Sequence, residues 1–279
     1  MPATVPYVWA CNGNCVTCLV DPAMYSVYVK MPLADSPMPE RIRDDPKVKS
    51  AFKDVVGALD GTHLPARPPT SERARFRDRK GNLSFNVMAG CSFDLLFQFV
   101  VAGWEGSAGD GYVLKDAMET SVKMPQGRTY LGDAGFGLSK TVLVPYRGTR
   151  YHLKEWANGN ARPRTGQELY NRRHAGLRSV IERIFGVIKE RFKVLVLGSD
   201  FPLRVQVALF PALAVVHNFI RLVDPEDIMS DREIDTWLER HASRSSPSTQ
   251  YPPIFKDDKG AEASRTVRAD LMWTAYHDS

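Results

Sequence analysis

Short apolar runs separated by polar turns mark the middle of the chain as a set of β-strands. Residues 55–60, 84–91, 95–101 and 129–133 are the predicted strands. The second and third stand at the spacing of a hairpin. The first run (VVGALD) ends in Asp60 and the fourth (TYLGD) ends in Asp133, so an acidic residue follows the apolar part of each.

Helical periodicity replaces this pattern further along the chain. Residues 112–118 predict a short helix. A long helix is predicted from about residue 167 to 192, because apolar side chains recur at spacings of 4, 3, 4 and 4, at Leu177, Ile181, Ile184, Ile188 and Phe192. Residues 205–222 predict a second, mostly buried helix that starts or bends near Pro211. Strands followed by helices in this order predict an α/β core with a mixed sheet flanked by helices.

The ends of the chain lack this regularity. Residues 1–50 are interpreted as a poorly defined N-terminal segment with a Pro-rich linker at 31–47, without a complete helix-turn-helix. Residues 51–222 form the predicted folded domain. Residues 223–279 are interpreted as a polar, partly disordered C-terminal tail with a flexible linker at 243–253.

Composition excludes several classes of protein. With 279 residues and 43% hydrophobic content, the chain can bury a core. No apolar run reaches the ~20 residues of a membrane-spanning helix, and no secretory signal is visible. Four cysteines do not make a disulfide scaffold in a chain of this length. Cys11, Cys15 and Cys18 lack a nearby fourth ligand, so a zinc site there is a weak hypothesis.

Positive charge is concentrated in the middle of the chain. The net charge is +5, and it divides into −1 for residues 1–60, +9 for residues 61–200 and −3 for residues 201–279. A basic central block favours a polyanionic partner, of which nucleic acid is the first candidate. A solvated basic surface is the alternative.

Three acidic residues are the candidate catalytic groups. Asp60 and Asp133 end predicted strands, and Glu182 lies roughly 100–160° around the long helix from its apolar face. Ligands of open α/β sheets bind beyond the carboxyl ends of the strands, where these side chains could meet. Converging carboxylates repel one another, and Mg²⁺ or Mn²⁺ would relieve this. Alternatively, the aspartates cap loops and the glutamate faces solvent.

The sequence motifs around these acids resemble those of the PIF/Harbinger transposase family, including the Harbinger transposase-derived nucleases. The matching runs are GALDGTHL, YLGDAGF and NRRHAGLRSVIERIFGVIKERFKVL, together with SERARFRDRKGNLSFNV, AGWEGSAGD and PYRGTRYHLKEW. They occur in the same order and cover roughly residues 25–222.

The resemblance implies an RNase H-like fold and a DDE endonuclease, with Asp60, Asp133 and Glu182 as catalytic and metal-binding residues. It implies two Mg²⁺ or Mn²⁺ ions, DNA as substrate, the nucleus as location and a Myb-like protein as DNA-binding partner. Two departures stand out: Gly109 occupies the place where a His usually precedes the family acid at Asp110, and the helix-turn-helix region that usually precedes the first acid is not recognisable.

Two groups of residues are predicted to contact DNA. The first is the basic loop after the first strand, which contains Arg73, Arg75, Arg77, Arg79 and Lys80. The second is a polar face of the long helix, where His174 and Arg178 share a stripe with Asn171 and Glu182. The alternatives are a solvated loop and an exposed stripe with an Arg178–Glu182 pair of little energetic weight.

The sequence therefore predicts a metal-dependent DNA endonuclease of transposase origin. The alternative is a domesticated or truncated transposase-derived protein that binds DNA or a protein partner without catalysis. The DNA sequence recognised and the oligomeric state are left open.

Overall fold

The computed structural model describes residues 15–78, 80–151, 162–227, 233, 236 and 257–278. The predicted α/β architecture is confirmed. Five strands are present in these residues: β1 (Val55–Pro65), β2 (Ser84–Cys91), β3 (Phe97–Glu105), β4 (Thr129–Leu131) and β5 (Val142–Leu143). The helices are α1 (Cys15–Leu19), α2 (Pro22–Tyr28), α3 (Glu40–Arg43), α4 (Pro46–Lys49), α5 (Asp110–Thr120), α6 (Gly166–Arg191), α7 (Val194–Leu197), α8 (Leu203–Val223) and α9 (Lys259–His277).

The strands form one mixed sheet in the order β3-β2-β1-β4-β5. Strands β2 and β3 pair antiparallel, as the hairpin spacing predicted. Strands β1 and β2 are also antiparallel, whereas β1–β4 and β4–β5 pair parallel. All eight residues of β2 are buried, and so are the first five of β1, so both faces of the sheet's centre are covered. Strand β5 has only two residues, too few to give a sequence signal.

Helix α6 is the central helix of the fold. It spans 26 residues and packs on β1, β2 and β4, with Ile181, Ile184 and Ile188 fully buried. The Thr165 side chain caps it by accepting a hydrogen bond from the Glu168 backbone N–H. The predicted long helix is therefore confirmed, with its apolar stripe against the sheet.

Helix α8 packs on β3 and runs without interruption through Pro211. It is the one described helix that is long and apolar enough to cross a membrane, and 39% of its most apolar window is buried inside the protein. Its polar side chains are bonded within the fold: His217 Nε2 donates to Leu95 O at 2.9 Å, and Asn218 bonds both backbone groups of Phe97. These contacts attach α8 to the fold, but the helix is not mostly buried as predicted.

The segment at 31–47 is not the linker that its prolines predicted. Two single-turn helices, α3 and α4, lie there, and Ile42 and Val48 are buried in the core. Pro39 precedes the first helical residue of α3, and Pro46 occupies the first position of α4. Proline at a helix start lacks only an N–H that would have no partner there, so these prolines begin helices rather than exclude them.

The prediction of a polar, partly disordered tail is wrong for residues 259–277. They form helix α9, which packs on α6. The buried face of α9 consists of Ala261, Arg265, Ala269 and Met272, a stripe too weakly apolar to be recognised by periodicity. The linker predicted at 243–253 lies outside the described residues.

Candidate active site

Asp60 and Asp133 lie where β4 ends beside β1. The last paired residues of these parallel strands are Ala58 and Leu131, and each acid follows two residues later. Asp60 does not end its strand as predicted, because β1 continues to Pro65 in register with β2. The end of β4 at Leu131 nevertheless leaves Asp60 without a neighbouring strand on that side, so both carboxylates occupy the same edge.

Backbone hydrogen bonds fix one oxygen of each of these carboxylates. Asp60 Oδ1 accepts from the N–H of Gly61 at 2.9 Å, and Asp133 Oδ1 accepts from the N–H of Gly135 at 2.7 Å. Asp133 is buried, with 3% exposure, and Asp60 is half-buried. The two side chains are therefore held by the turns that follow them.

Helix α6 brings Glu182 to the same edge, with Arg178 one turn before it. Arg178 Nη1 lies 2.8 Å from Glu182 Oε1, and Arg178 Nη2 lies 3.4 Å from Asp60 Oδ2. The Arg178 side chain is 7% exposed, the Asp60 side chain 16% and the Glu182 side chain 50%. The Arg178–Glu182 pair, which the alternative interpretation placed on an exposed stripe, thus has an enclosed arginine. Arg178 also joins α6 to β1 through its contact with Asp60.

The charges of the neighbouring groups act on the ionisation of Asp60. Burial raises the pKa of Asp60 well above its ordinary value, and the nearby Arg178 acts in the opposite direction. The charges of Asp133, Asp110 and Glu182 raise it further. Like charges within one partly buried site disfavour ionisation, and a cation at this edge would favour it.

Lys189 is a functional candidate that the sequence analysis did not select. Its Nζ donates to Thr62 Oγ1 at 2.5 Å, and Thr62 lies on the same face of β1 as Asp60. Lys189 follows Glu182 by seven residues, or two helical turns. That spacing from a candidate acid was the available signal, but at the end of a helix a lysine also complements the helix dipole.

Asn171 and His174, two residues of the predicted polar stripe on α6, are buried and are not accessible to DNA. His174 is fully buried, and its Nε2 lies 3.0 Å from Leu143 O. The predicted contact between His174 and DNA is therefore wrong for this arrangement, because α6 is covered on that face by the segment after β5. Asn171 anchors this segment by bonding the backbone N–H and C=O of Tyr146.

Asp110 lies on the other face of the sheet from Asp60. Its carboxylate occupies the space above Gly61, where a Cβ would come within 2.1 Å of Oδ1. Adjacent residues of a strand project to opposite faces, so Gly61 and Asp60 face away from each other. Asn86 Nδ2 donates to Asp110 Oδ1 at 2.6 Å, which holds the start of α5 against β2. Asp110 is thus placed as an anchor of α5.

The basic loop is exposed at each cation that the structure describes. Arg73, Arg75, Arg77 and Lys80 are exposed, whereas Phe76 is buried and anchors the loop; Arg79 lies outside the described residues. Arg75 pairs with Glu105 at 2.5 Å. A contact chain from Asp78 through Ser84 to His63 ties the loop to β1, three residues beyond Asp60. Contact between this loop and DNA stays a prediction.

The site has the donors for a divalent cation but not an open arrangement of them. Its donors fit in kind, since three carboxylates supply the hard oxygen ligands that Mg²⁺ and Mn²⁺ prefer. Their arrangement is closed, because Arg178 contacts both Asp60 and Glu182. Within the described part of the chain, no three His, Cys, Asp or Glu side chains form a group that could hold one ion. Cys15 and Cys18 likewise belong to no such group in the described residues. Cys11 lies outside the described residues.

Comparison with known proteins adds to this geometry. A family model described as "DDE superfamily endonuclease" matches residues 59–218, more than half of the chain. The chain belongs to this family. The match begins one residue before Asp60 and includes Asp133 and Glu182.

Curated relatives point in the same direction. The chain is 28% identical over 281 residues to the protein named "Putative nuclease HARBI1" of Rattus norvegicus, and this covers 95% of the chain and 70% of that protein. The Homo sapiens protein of the same name gives the same identity and coverage. "Protein ALP1-like" of Arabidopsis thaliana is 27% identical over 65% of the chain and 47% of its own length. No solved structure matches. The resemblance to Harbinger-derived nucleases is thereby confirmed.

Proposed function

We propose that this DDE superfamily member is a metal-dependent DNA endonuclease in which Asp60, Asp133 and Glu182 hold two Mg²⁺ or Mn²⁺ ions. The observation that carries the proposal is the position of Asp60 and Asp133 just after the last paired residues of two adjacent parallel strands, with Arg178 linking Asp60 to Glu182, within the residues that match the family. The strand order and directions agree with the RNase H-like fold that the resemblance implies.

The chemistry follows from the donors. Asp60, Asp133 and Glu182 would hold the ions, which when bound would supply activation of the attacking water and stabilisation of the leaving oxygen of a phosphodiester. Asp60 and Asp133 are held by backbone N–H groups, which orients them before any ligand arrives. Glu182 is half-exposed and closes the site from the helix side. Lys189 and the exposed cations of the loop, Arg73, Arg75, Arg77 and Lys80, would contact the DNA backbone, and Arg79 belongs to the same prediction.

Location and partners complete the proposal. A DNA substrate in a cell with a nucleus implies a nuclear protein. A separate Myb-like protein is the DNA-binding partner that the family resemblance implies.

A cleavage assay with matched variants tests the activity. Supercoiled DNA is incubated with Mg²⁺ or Mn²⁺ and either the wild-type protein, Asp133→Asn or Asp35→Asn. Asp35 is an exposed residue of a turn, so its variant removes the same charge away from the site. We expect nicking by the wild type and Asp35→Asn, and a loss of at least a hundredfold in Asp133→Asn. Equal cleavage by all three would contradict the proposal.

The position of Arg178 favours a second candidate function. A site whose acids are neutralised by a buried arginine could belong to a domesticated protein that binds DNA without cutting it. Calorimetric titration with Mn²⁺ separates the two: a catalytic site takes up the ion in a manner that depends on Asp133, whereas an inert scaffold does not.

A further inference from the structure

Arg178 occupies the position between two of the three candidate metal ligands. Its Nη1 is 2.8 Å from Glu182 Oε1 and 3.4 Å from Asp60 Oδ2. The oxygens that would face a cation therefore already face a positive charge. Arg178 and an ion at this place would repel each other, and they would compete for the same lone pairs.

The hydrogen bonding of the Arg178 guanidinium is also incomplete. Its Nε is buried and has no hydrogen-bond partner among the residues that the structure describes. A guanidinium has five N–H donors, and a buried donor without a partner carries a free-energy cost. Arg178 is thus enclosed at the site without being fully satisfied there.

The two carboxylates differ in their freedom to move. Asp60 is held by the Gly61 N–H and is mostly enclosed, whereas half of the Glu182 side chain is exposed. Among the described residues, Glu182 is paired with Arg178 of its own helix. A rearrangement at this site would therefore involve Glu182 and the end of Arg178, not Asp60.

We propose that Arg178 competes with the divalent cation for Glu182 and Asp60, so that the free protein binds metal weakly until Arg178 gives up these contacts. This inference rests on the proposed function. A phosphate group offers a guanidinium a bidentate, charge-assisted partner. DNA entering the site would take over Arg178 and leave both acids to the metal. Metal and DNA would then bind cooperatively, because each favours the state in which Arg178 has left the acids.

The test measures Ca²⁺ binding by calorimetry, without DNA and without turnover. Arg178→Gln removes the competing charge and keeps hydrogen-bonding groups. Arg172→Gln removes the same charge from an exposed position on the same helix. We expect Arg178→Gln to bind Ca²⁺ at least fivefold more tightly than the wild type, and Arg172→Gln to differ less than twofold. Equal tightening in both variants, or weaker binding by Arg178→Gln, would overturn the proposal.

A second variant guards against loss of the fold. Arg178→Lys keeps the charge, but a single ammonium group cannot hold both carboxylates in the same way. We expect it to fold as the wild type does and to bind Ca²⁺ at least twofold more tightly. If circular dichroism shows that Arg178→Gln is unfolded, the test rests on Arg178→Lys. Unchanged or weaker Ca²⁺ binding by Arg178→Lys then refutes the competition.

The DNA arm of the experiment tests the coupling. A short duplex added at saturation should tighten Ca²⁺ binding to the wild type at least fivefold, and should have less than half that effect on Arg178→Gln. The same effect in both proteins would show that Arg178 does not carry the coupling.

Asp133→Asn in the same titration separates the inference from the function beneath it. If Asp133→Asn abolishes binding while Arg178→Gln leaves it unchanged, the endonuclease proposal stands and the competition is wrong. If no protein, including Arg178→Gln, binds Ca²⁺ in a manner that depends on Asp133, both are wrong.

Discussion

Lys189 on α6 donates a hydrogen bond from Nζ to the hydroxyl of Thr62 on β1, at 2.5 Å. Burial lowers the pKa of Lys189 to about 8, and the charge of Asp60 only partly offsets this. A charged lysine in such a place lowers the stability of the fold. Residues that carry this kind of cost are concentrated at functional sites.

Replacing Lys189 by methionine should therefore stabilise the protein and impair its activity. Methionine has a similar length and no charge to desolvate. We therefore expect the free energy of unfolding at pH 7 to rise by about 1–2 kcal/mol. DNA affinity should fall in the same variant, because a cation of the site is lost. Urea unfolding and filter binding measure the two effects.

Lys193→Met is the matched control for this prediction. Lys193 is 57% exposed, lies two residues after the end of α6 and pairs with Glu190. We expect it to change the free energy of unfolding by less than about 0.5 kcal/mol. A destabilised Lys189→Met with unchanged DNA affinity would assign Lys189 a structural role.

His174 predicts how stability depends on pH. A carbonyl only accepts, so His174 donates from Nε2 to Leu143 O, and burial lowers the pKa of its imidazole to about 3. The unfolded chain takes up a proton below pH 6.5 while the folded chain does not. Stability is therefore lost as the pH falls from 6.5 towards 3, by about 2 kcal/mol between pH 7 and pH 5 from this residue.

His174→Gln tests this dependence. Glutamine can donate to the same carbonyl and does not titrate, so the variant should lose about 2 kcal/mol less than the wild type between pH 7 and pH 5. Urea unfolding at the two pH values measures the difference. His277→Gln, at an exposed position, should keep the wild-type dependence. An unchanged slope in His174→Gln would mean that His174 is charged in the folded state.

The central strands, the long helix and the three acids could be predicted from sequence because each leaves a local signal. Asp60 and Asp133 follow apolar runs, and Glu182 lies off the apolar face of a periodic helix. The roles of Asn171 and His174 could not be predicted in this way. Periodicity identifies the apolar stripe of α6, but it does not reveal that a second layer, the segment after β5, covers the polar stripe as well.

Long-range contacts account for what was missed elsewhere. Helix α9 is held by Arg265 and Arg268, whose partners lie more than a hundred residues away in the chain. Its buried alanines give no hydrophobic signal without knowledge of the surface they meet. Likewise, the position of Asp110 above Gly61 depends on how α5 packs on the sheet. The identities of these two residues do not determine that packing.

Two glycines of β1 should respond differently to alanine. At Gly57 a Cβ would lie 2.0 Å from the backbone oxygen of Cys91, which the sheet holds in place. At Gly61 it would lie 2.1 Å from Oδ1 of Asp110, the end of a side chain. We expect Gly57→Ala to lower the free energy of unfolding by about 3 kcal/mol or more, and Gly61→Ala by about 1–2 kcal/mol.

Chemical denaturation measures this difference, and a structural probe explains it. Gly61→Ala should displace Asp110 and speed hydrogen exchange at the start of α5, with little change in β2. If Gly61→Ala proves the more damaging of the two, the Asp110 carboxylate is held more rigidly than its bond to Asn86 suggests.

The pair Arg268–Asp54 should stabilise the docking of α9. Arg268 Nη1 and Nη2 lie 2.6 and 2.7 Å from the two oxygens of Asp54, and the side chains are only 15% and 23% exposed. Enclosed, bidentate pairs are stronger than surface pairs. A double-mutant cycle with Arg268→Met and Asp54→Asn should give a coupling energy of about 1–3 kcal/mol in urea unfolding.

The pair Lys115–Glu119 supplies the control, since its atoms are 4.0 Å apart and both side chains are at least half exposed. Its cycle should give less than about 0.5 kcal/mol. Asp54 also accepts the N–H of Thr129 through its backbone oxygen at 3.0 Å, so the docked helix braces the start of the strand that leads to Asp133. Arg268→Met should therefore speed hydrogen exchange in β4 as well as in α9. Faster exchange in α9 alone would mean that the helix docks without supporting the site.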